Sequence, residues 1–194
     1  SPPVSTVHIG ISERYDLAVP RAGGPQGMAG DYLYYSGRSF KLREGSWGIL
    51  RVHDGEADVP LQKLPGHAAI PLSAPSVCPA GAPRKEFSVF AVEVSLPMLG
   101  GAWGKVYVLD RDKDSVLAGS QAAEPMVLHV NVGDCLGVRL TNETTDGPVS
   151  FHGDMLAFDP KESQGVAVGV NPPQAVGPGE TRNYTYFAHP EVGE

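Results

Sequence analysis

Apolar and polar residues alternate along much of this chain with a period of two. The stretch HIGISERYDLAVP alternates from Val7 to Val19, and GDYLYYSG and WGILRV follow as short aromatic and apolar segments. Because successive side chains of a strand point to opposite faces, this period predicts β-strands. The same pattern resumes in later segments, which are EFSVFAVEVSL, GKVYVLD, MVLHVNVGD, CLGVRLTN, PVSFHGDM and TRNYTYFAHP.

Turn signals separate these segments, and no stretch carries an apolar helical period over three turns. Asp-Gly, Asn-Pro-Pro and Pro-Gly sequences fall at intervals typical of a β-sandwich. Residues 55–83 are instead rich in proline, glycine and alanine, which predicts a linker. The pattern therefore predicts an all-β protein.

Composition and charge restrict the partners. A formal net charge of -7 argues against nucleic acid, because its phosphates repel an acidic surface. Hydrophobic residues make up 41% of the chain, which is enough for a core. No apolar run approaches the ~20 residues that cross a bilayer. We expect no nucleic-acid partner and no membrane span.

The two cysteines, Cys78 and Cys135, leave two interpretations open. They are too few for a disulfide-rich scaffold and too far apart for a zinc knuckle. Either both are buried thiols, or one bridge ties the segment around Cys78 to the strand that carries Cys135. A bridge requires an oxidising compartment. Because the linker must return along the sheet, we predict that the two Cα atoms lie within ~7 Å.

Four segments together resemble the multicopper oxidases, which are built from cupredoxin domains in series. AGDYLYYSGRSFKLREGSWGILRV is similar to the end of such a domain, around its copper loop, and EPMVLHVNVGDCLGVRLTN to the early strands of the next. PVSFHGDML stands where the family has its His-x-His strand, and PGETRNYTYFAHPEVGE is similar to a later turn and strand. The resemblance implies a cupredoxin-like Greek-key β-sandwich fold.

The order of these segments implies parts of two domains. Residues 1–54 resemble the C-terminal part of one cupredoxin-like domain, and residues 84–194 the N-terminal part of a second. A sandwich without its last strands exposes sheet edges and half a core. We therefore expect the remaining domains of the same oxidase, or other chains, to complete the second sandwich, unless the two halves complete one another.

The copper loop of the first domain has lost its ligands. Gly45 aligns with the glycine that precedes the axial residue of the family. The thiolate position then falls on Ser36, and the later histidine position on Lys41. A serine hydroxyl and a lysine ammonium do not hold copper. The resemblance thus implies a domain without a mononuclear copper site. Large members of the family contain such domains.

His152 is the candidate metal residue of the second domain. It matches the first histidine of the His-x-His pair, whereas Asp154 occupies the second position. Three interpretations remain: a histidine that packs at a domain interface without metal, a copper ligand completed by other residues, or a joint site of both side chains for a hard cation. The strand position predicts that His152 faces another domain or chain, with Asp154 fixing its tautomer.

The resemblance implies a segment of a multicopper oxidase, an enzyme that couples one-electron substrate oxidation to reduction of dioxygen to water. This segment would be mainly scaffold, with at most one copper ligand, and copper would belong to the complete protein. The alternative is a non-catalytic cupredoxin-like module for assembly or partner binding. In either case we expect a secreted, periplasmic or cell-surface protein.

Overall fold

The computed structural model describes residues 6–19, 21–53, 76–96 and 100–190. Most of the predicted linker, residues 54–75, lies outside the described residues. None of the helices in the described ranges has the length and hydropathy needed to cross a membrane.

The all-β class is confirmed. Seven strands and two short helices are present in the described residues, and they are β1 (Gly30–Tyr35), α1 (Ser39–Arg43), β2 (Trp47–Val52), β3 (Arg84–Leu96), β4 (Ala102–Leu109), α2 (Asp110–Leu117), β5 (Cys135–Asn142), β6 (Ala157–Phe158) and β7 (Thr181–Phe187). Strands β1 and β2 form an antiparallel ribbon, and the other five form one sheet in the order β4-β3-β5-β7-β6.

The centre of the five-stranded sheet is a parallel pair. Strand β3 runs parallel to β5, with Arg84 opposite Cys135, and antiparallel to β4. A parallel pair needs a long crossover, which β4 and α2 provide. Strand β7 then pairs antiparallel with β5, from Cys135↔Phe187 to Thr141↔Thr181.

Both faces of this sheet are buried because β3 alternates between two apolar clusters. Val89 and Ala91 belong to a cluster with the fully buried Tyr184 and Tyr186. Residues of opposite parity on β3, such as Val92, pack in a second cluster that includes Val116 of α2. Burial on both sides explains why the central strands have near-continuous apolar sequences.

Three expectations about secondary structure are wrong. Residues 7–19 form no strand but an exposed extended segment with a turn, in which Glu13 N donates to Gly10 O at 3.3 Å. The segment MVLHVNVGD is also irregular, and PVSFHGDM makes only the isolated bridge Val149↔Val176. Asp110–Leu117 forms the short helix α2. Alternation marks an apolar face, but it does not reveal whether a partner strand is present.

The predicted proximity of the two cysteines is confirmed. Cys78 and Cys135 form a disulfide with a Cα–Cα distance of 5.7 Å, and both residues are buried. The bridge fastens the segment that precedes β3 to the first residue of β5. It therefore reinforces the start of the parallel pair, where Cys135 N also donates to Pro83 O at 2.7 Å.

Candidate functional site

Two tyrosines hold the main chain that carries His152. The Tyr107 hydroxyl of β4 donates to Ser150 O at 2.6 Å, and the Tyr186 hydroxyl of β7 donates to Phe151 O at 3.1 Å. Burial raises the pKa of both tyrosines, so both hydroxyls stay protonated and keep donating. The segment is thus positioned by hydrogen bonds to the sheet although it is not itself a strand.

The His152 imidazole is oriented by a carbonyl and an aromatic ring. Its Nδ1 lies 2.8 Å from Gln164 O, and the ring packs edge to face on Phe158 with centroids 5.5 Å apart. A carbonyl only accepts hydrogen bonds, so Nδ1 carries the proton. In the neutral ring the lone pair is then on Nε2, which is the arrangement that metal-binding histidines commonly have.

Asp154 lies near the other ring nitrogen. Its Oδ1 is 3.5 Å from His152 Nε2, and the two side chains are 80% and 41% exposed, respectively. An exposed pair at this distance contributes little to stability. The group that fixes the tautomer is therefore Gln164 O rather than the Asp154 carboxylate. Every partner of His152 named here belongs to residues 84–194, and the predicted contact with another domain or chain stays a prediction.

Beside His152 lies a partly open cavity of about 630 Å³. Its walls are mainly apolar and include Tyr107, Met126, Leu136 and Phe151. Lys105, Glu124 and His152 also line it. The cavity lies between strands of the sheet and two irregular segments, residues 123–130 and 150–156. His152 therefore borders an apolar space.

The loop of residues 159–171 links His152 to the β1–β2 ribbon. It supplies Gln164 O to His152, and the fully buried Gln174 side chain holds it through hydrogen bonds. Gln174 Nε2 donates to Pro160 O at 2.7 Å, and its Oε1 accepts from Gly165 N at 2.9 Å. The carbonyl that orients His152 is therefore part of a buried hydrogen-bond network.

The opposite side of this loop binds Asp31 of β1. Asp31 is fully buried, and its carboxylate accepts from Arg51 Nε at 2.7 Å and from Val170 N at 2.8 Å. Its main chain pairs with the Asn171 side chain at 3.0 and 2.7 Å. The Arg51 hydrogen bonds hold the pKa of Asp31 below its usual value, although burial opposes them. Asp31 thus anchors the ribbon to residues 84–194.

Gly169 is required for this anchor. Its φ is +55°, and a Cβ built there would overlap Asp31 Oδ2. We expect Gly169→Ala to lower the free energy of unfolding by about 2–4 kcal/mol, because a left-handed conformation and a collision add together. Gly179→Ala is the matched control, since its φ is +79° with open space at the Cβ position. Denaturant unfolding should show that this control loses only about 1 kcal/mol of the free energy of unfolding. Equal losses of unfolding free energy for the two variants would contradict the predicted collision.

The positions that were predicted to correspond to a copper loop, around Ser36 and Lys41, hold no ligand set. Lys41 lies in α1 and pairs with Glu44 at 2.5 Å, while Ser36 N donates to Ser46 O at 3.0 Å. Across the described parts of the chain, no three His, Cys, Asp or Glu side chains are grouped to hold a metal ion. Blue and trinuclear copper sites need several imidazole or thiolate ligands. A complete copper centre does not fit these residues.

Sequence reasoning identified His152 and Asp154 but missed the groups that organise the site. Gln164 acts on His152, 12 residues away in the chain, and Gln174 acts on Pro160 and Gly165, 14 and 9 residues away. Asp31 acts across about 140 residues. The one local signal for Asp31 was an acidic residue at the start of an otherwise aromatic strand.

Comparison with known proteins finds similarity among solved structures. No family model matches the chain, and no curated protein matches it. A multi-copper oxidase from Pseudomonas thermotolerans is similar over 56% of this chain, with 21% sequence identity and a TM-score of 0.38. The match spans 23% of that protein.

Proposed function

We propose that this chain is a scaffold segment of a multicopper oxidase with a cupredoxin-like fold. Its residues 84–194 would supply one imidazole, that of His152, to a copper site whose other ligands come from elsewhere in the complete protein. The observation that carries this proposal is the hydrogen bond of 2.8 Å between His152 Nδ1 and Gln164 O. It leaves Nε2 as the nitrogen that can bind a metal. The order of the four sequence segments that resemble the family also supports it.

The donor set limits what this segment contributes. Both cysteines are consumed in the disulfide, so neither offers a thiolate to a mononuclear copper. Ser36 and Lys41 replace the ligands in the first domain. No redox step is therefore assigned to these residues. Their role is to hold strands, the loop of residues 159–171 and the imidazole in a fixed arrangement.

The disulfide supports a location outside the reducing cytosol. Structural disulfides persist mainly in secreted, periplasmic and cell-surface proteins. We propose such a location for the complete oxidase, whose remaining domains would be the partners of this segment.

Copper binding by the isolated chain tests the proposal. After dialysis against copper(II) sulfate and washing, we expect less than one copper per chain by metal analysis, because a single imidazole binds copper weakly. His152→Ala should remove most of the retained copper, whereas His8→Ala, at an exposed position distant in sequence, should not. Retention of one copper per chain that survives His152→Ala would contradict the proposal.

A non-catalytic module is the second candidate, and the missing ligands of the first domain favour it. In that case His152 would serve packing and assembly. Replacing His152 by alanine in the complete protein separates the two candidates. Loss of copper with intact assembly supports a ligand, and loss of assembly with unchanged copper per folded protein supports the module.

A further inference from the structure

The peptide group between Gln164 and Gly165 faces His152 and is held on both sides. Its carbonyl oxygen lies 2.8 Å from His152 Nδ1. Its N–H donates to Gln174 Oε1 at 2.9 Å. Gln174 is fully buried, and its Nε2 donates to Pro160 O at 2.7 Å. Because a peptide group is planar, a partner that fixes its N–H also fixes the direction of its C=O.

Gly165 lets this peptide group lie close to the main chain that precedes His152. Its φ is +80°, and a Cβ built there would overlap Phe151 O. Glycine adopts this conformation without strain and leaves room for the close approach. The main-chain carbonyl can therefore reach the imidazole ring.

The side chain of Gln164 binds the outer edge of β1. Its amide donates to Asp31 O at 2.8 Å and accepts from Leu33 N at 3.0 Å. Asp31 O can only accept and Leu33 N can only donate, so these two partners fix the orientation of the amide. One side chain thus bonds main-chain groups two residues apart, as one residue of a parallel neighbouring strand does. Gln164 is 4% exposed, so both hydrogen bonds are shielded from water.

Asn171 connects this contact with the support of the peptide group. Its Oδ1 accepts from Asp31 N at 3.0 Å, and its Nδ2 donates to Asp31 O at 2.7 Å. The same Nδ2 lies 3.0 Å from Pro160 O, which is also the acceptor of Gln174 Nε2. The hydrogen bonds that hold β1 and those that hold the peptide group therefore belong to one network.

We propose that Gln164 is a positioning residue that couples the edge of β1 to the imidazole of His152. Its side chain binds β1 and its carbonyl accepts from Nδ1–H, so the docking of β1 determines which ring nitrogen carries the proton. The β1–β2 ribbon thereby belongs to the same site as His152, although the sequence resemblance divides them between two domains. This inference rests on the proposed function only in taking His152 as the candidate ligand, whose Nε2 must keep its lone pair.

The tautomer of His152 in the metal-free chain tests this coupling. Proton–nitrogen correlation spectra distinguish a ring nitrogen that carries hydrogen from one that has a lone pair, and His152→Ala assigns the signals. At about pH 8.5 the ring is neutral. In the wild type we expect the Nδ1–H form to exceed the Nε2–H form at least about tenfold, because one hydrogen bond favours it. Gln164→Met keeps the carbonyl and removes the amide, and it should lower this ratio at least about threefold.

A second variant and two controls accompany this measurement. Gln164→Asn is one methylene shorter and cannot reach both of its partners on β1, so it should also lower the ratio. Gln121→Met is the matched control, because Gln121 is exposed and its Oε1 accepts from Ser115 Oγ at 2.8 Å. Asp154→Asn tests the other group near the ring. Both controls should leave the ratio within about twofold of the wild type.

A lower ratio in a folded Gln164 variant, with both controls unchanged, supports the coupling. A wild-type ring with Nε2–H as its major form overturns it. An unchanged ratio in the Gln164 variants, or a fall in Asp154→Asn alone, overturns it as well. Loss of folding in both Gln164 variants, measured by circular dichroism, also overturns it, because the role of Gln164 would then be structural. No metal is added, so these outcomes are independent of the copper test of the proposed function.

Discussion

Replacing Cys78 and Cys135 together by serine is expected to lower the free energy of unfolding by about 4 kcal/mol. The disulfide closes a loop with a sequence separation of 57 residues. The disulfide restricts the conformations of the unfolded chain, and in the chain-entropy description its removal restores this conformational entropy and so stabilises the unfolded state. Because Cys135 begins β5 and Arg84 of β3 pairs with it, the loss should also loosen the start of the parallel pair. Chemical denaturation of both proteins measures the difference.

Reduction supplies the control for this prediction. The wild-type chain unfolded with reductant present should match the double variant, and each single serine variant should match it within about 1 kcal/mol. Equal unfolding midpoints for oxidised and reduced wild type would contradict a bridge that stabilises the native chain.

Asp31→Ala is expected to lower the free energy of unfolding by about 2–4 kcal/mol. The substitution removes the acceptor of Val170 N and of Arg51 inside the contact between the ribbon and the loop of residues 159–171. Arg51 is 47% exposed and can regain water, so the loss falls below that of a fully buried pair. Asp154→Ala is the control, because its carboxylate is 80% exposed, and it should change stability by less than about 0.5 kcal/mol.

The pH dependence of this effect follows from the direction of the Asp31 shift. The pKa of Asp31 is lowered in the folded protein, chiefly by the Arg51 hydrogen bonds. Its ionised form therefore stabilises the fold above the unfolded pKa of about 3.9. That contribution is lost as the pH falls through the lower, folded pKa. The stability difference between wild type and Asp31→Ala should be constant from about pH 5 to 8 and shrink in acid. A difference that grows in acid would contradict the assignment.

The sequence predicted the strands that have neighbours and failed where a neighbour is missing. β3, β5 and β7 carry apolar faces, and each is covered by sheet partners and side chains. Residues 7–19 have the same alternation, yet they lie exposed because no described strand pairs with them. Helix α2 has eight residues, too few to display a helical period. The local pattern therefore predicts which face of a segment is apolar, but not whether another strand pairs with that segment.

At the candidate site, too, the sequence identified residues within one short segment but not the contacts from distant positions. A family motif identified His152 and Asp154, because both stand within one short segment. The groups that orient His152 and anchor the ribbon come from distant positions, such as Gln164 O and the Asp31–Asn171 pair. Main-chain acceptors have no sequence signature, since every residue offers a carbonyl. Only the folded arrangement reveals them.

The absorption spectrum of the copper-treated, oxidised chain tests the central claim most directly. The claim is that this segment is scaffold, with both cysteines in a disulfide and His152 as its one candidate ligand. Copper bound through a thiolate gives an intense band at about 600 nm. After incubation with copper(II) sulfate, the account predicts no such band for the wild type and for His152→Ala. An intense band at about 600 nm with one copper per chain would contradict it.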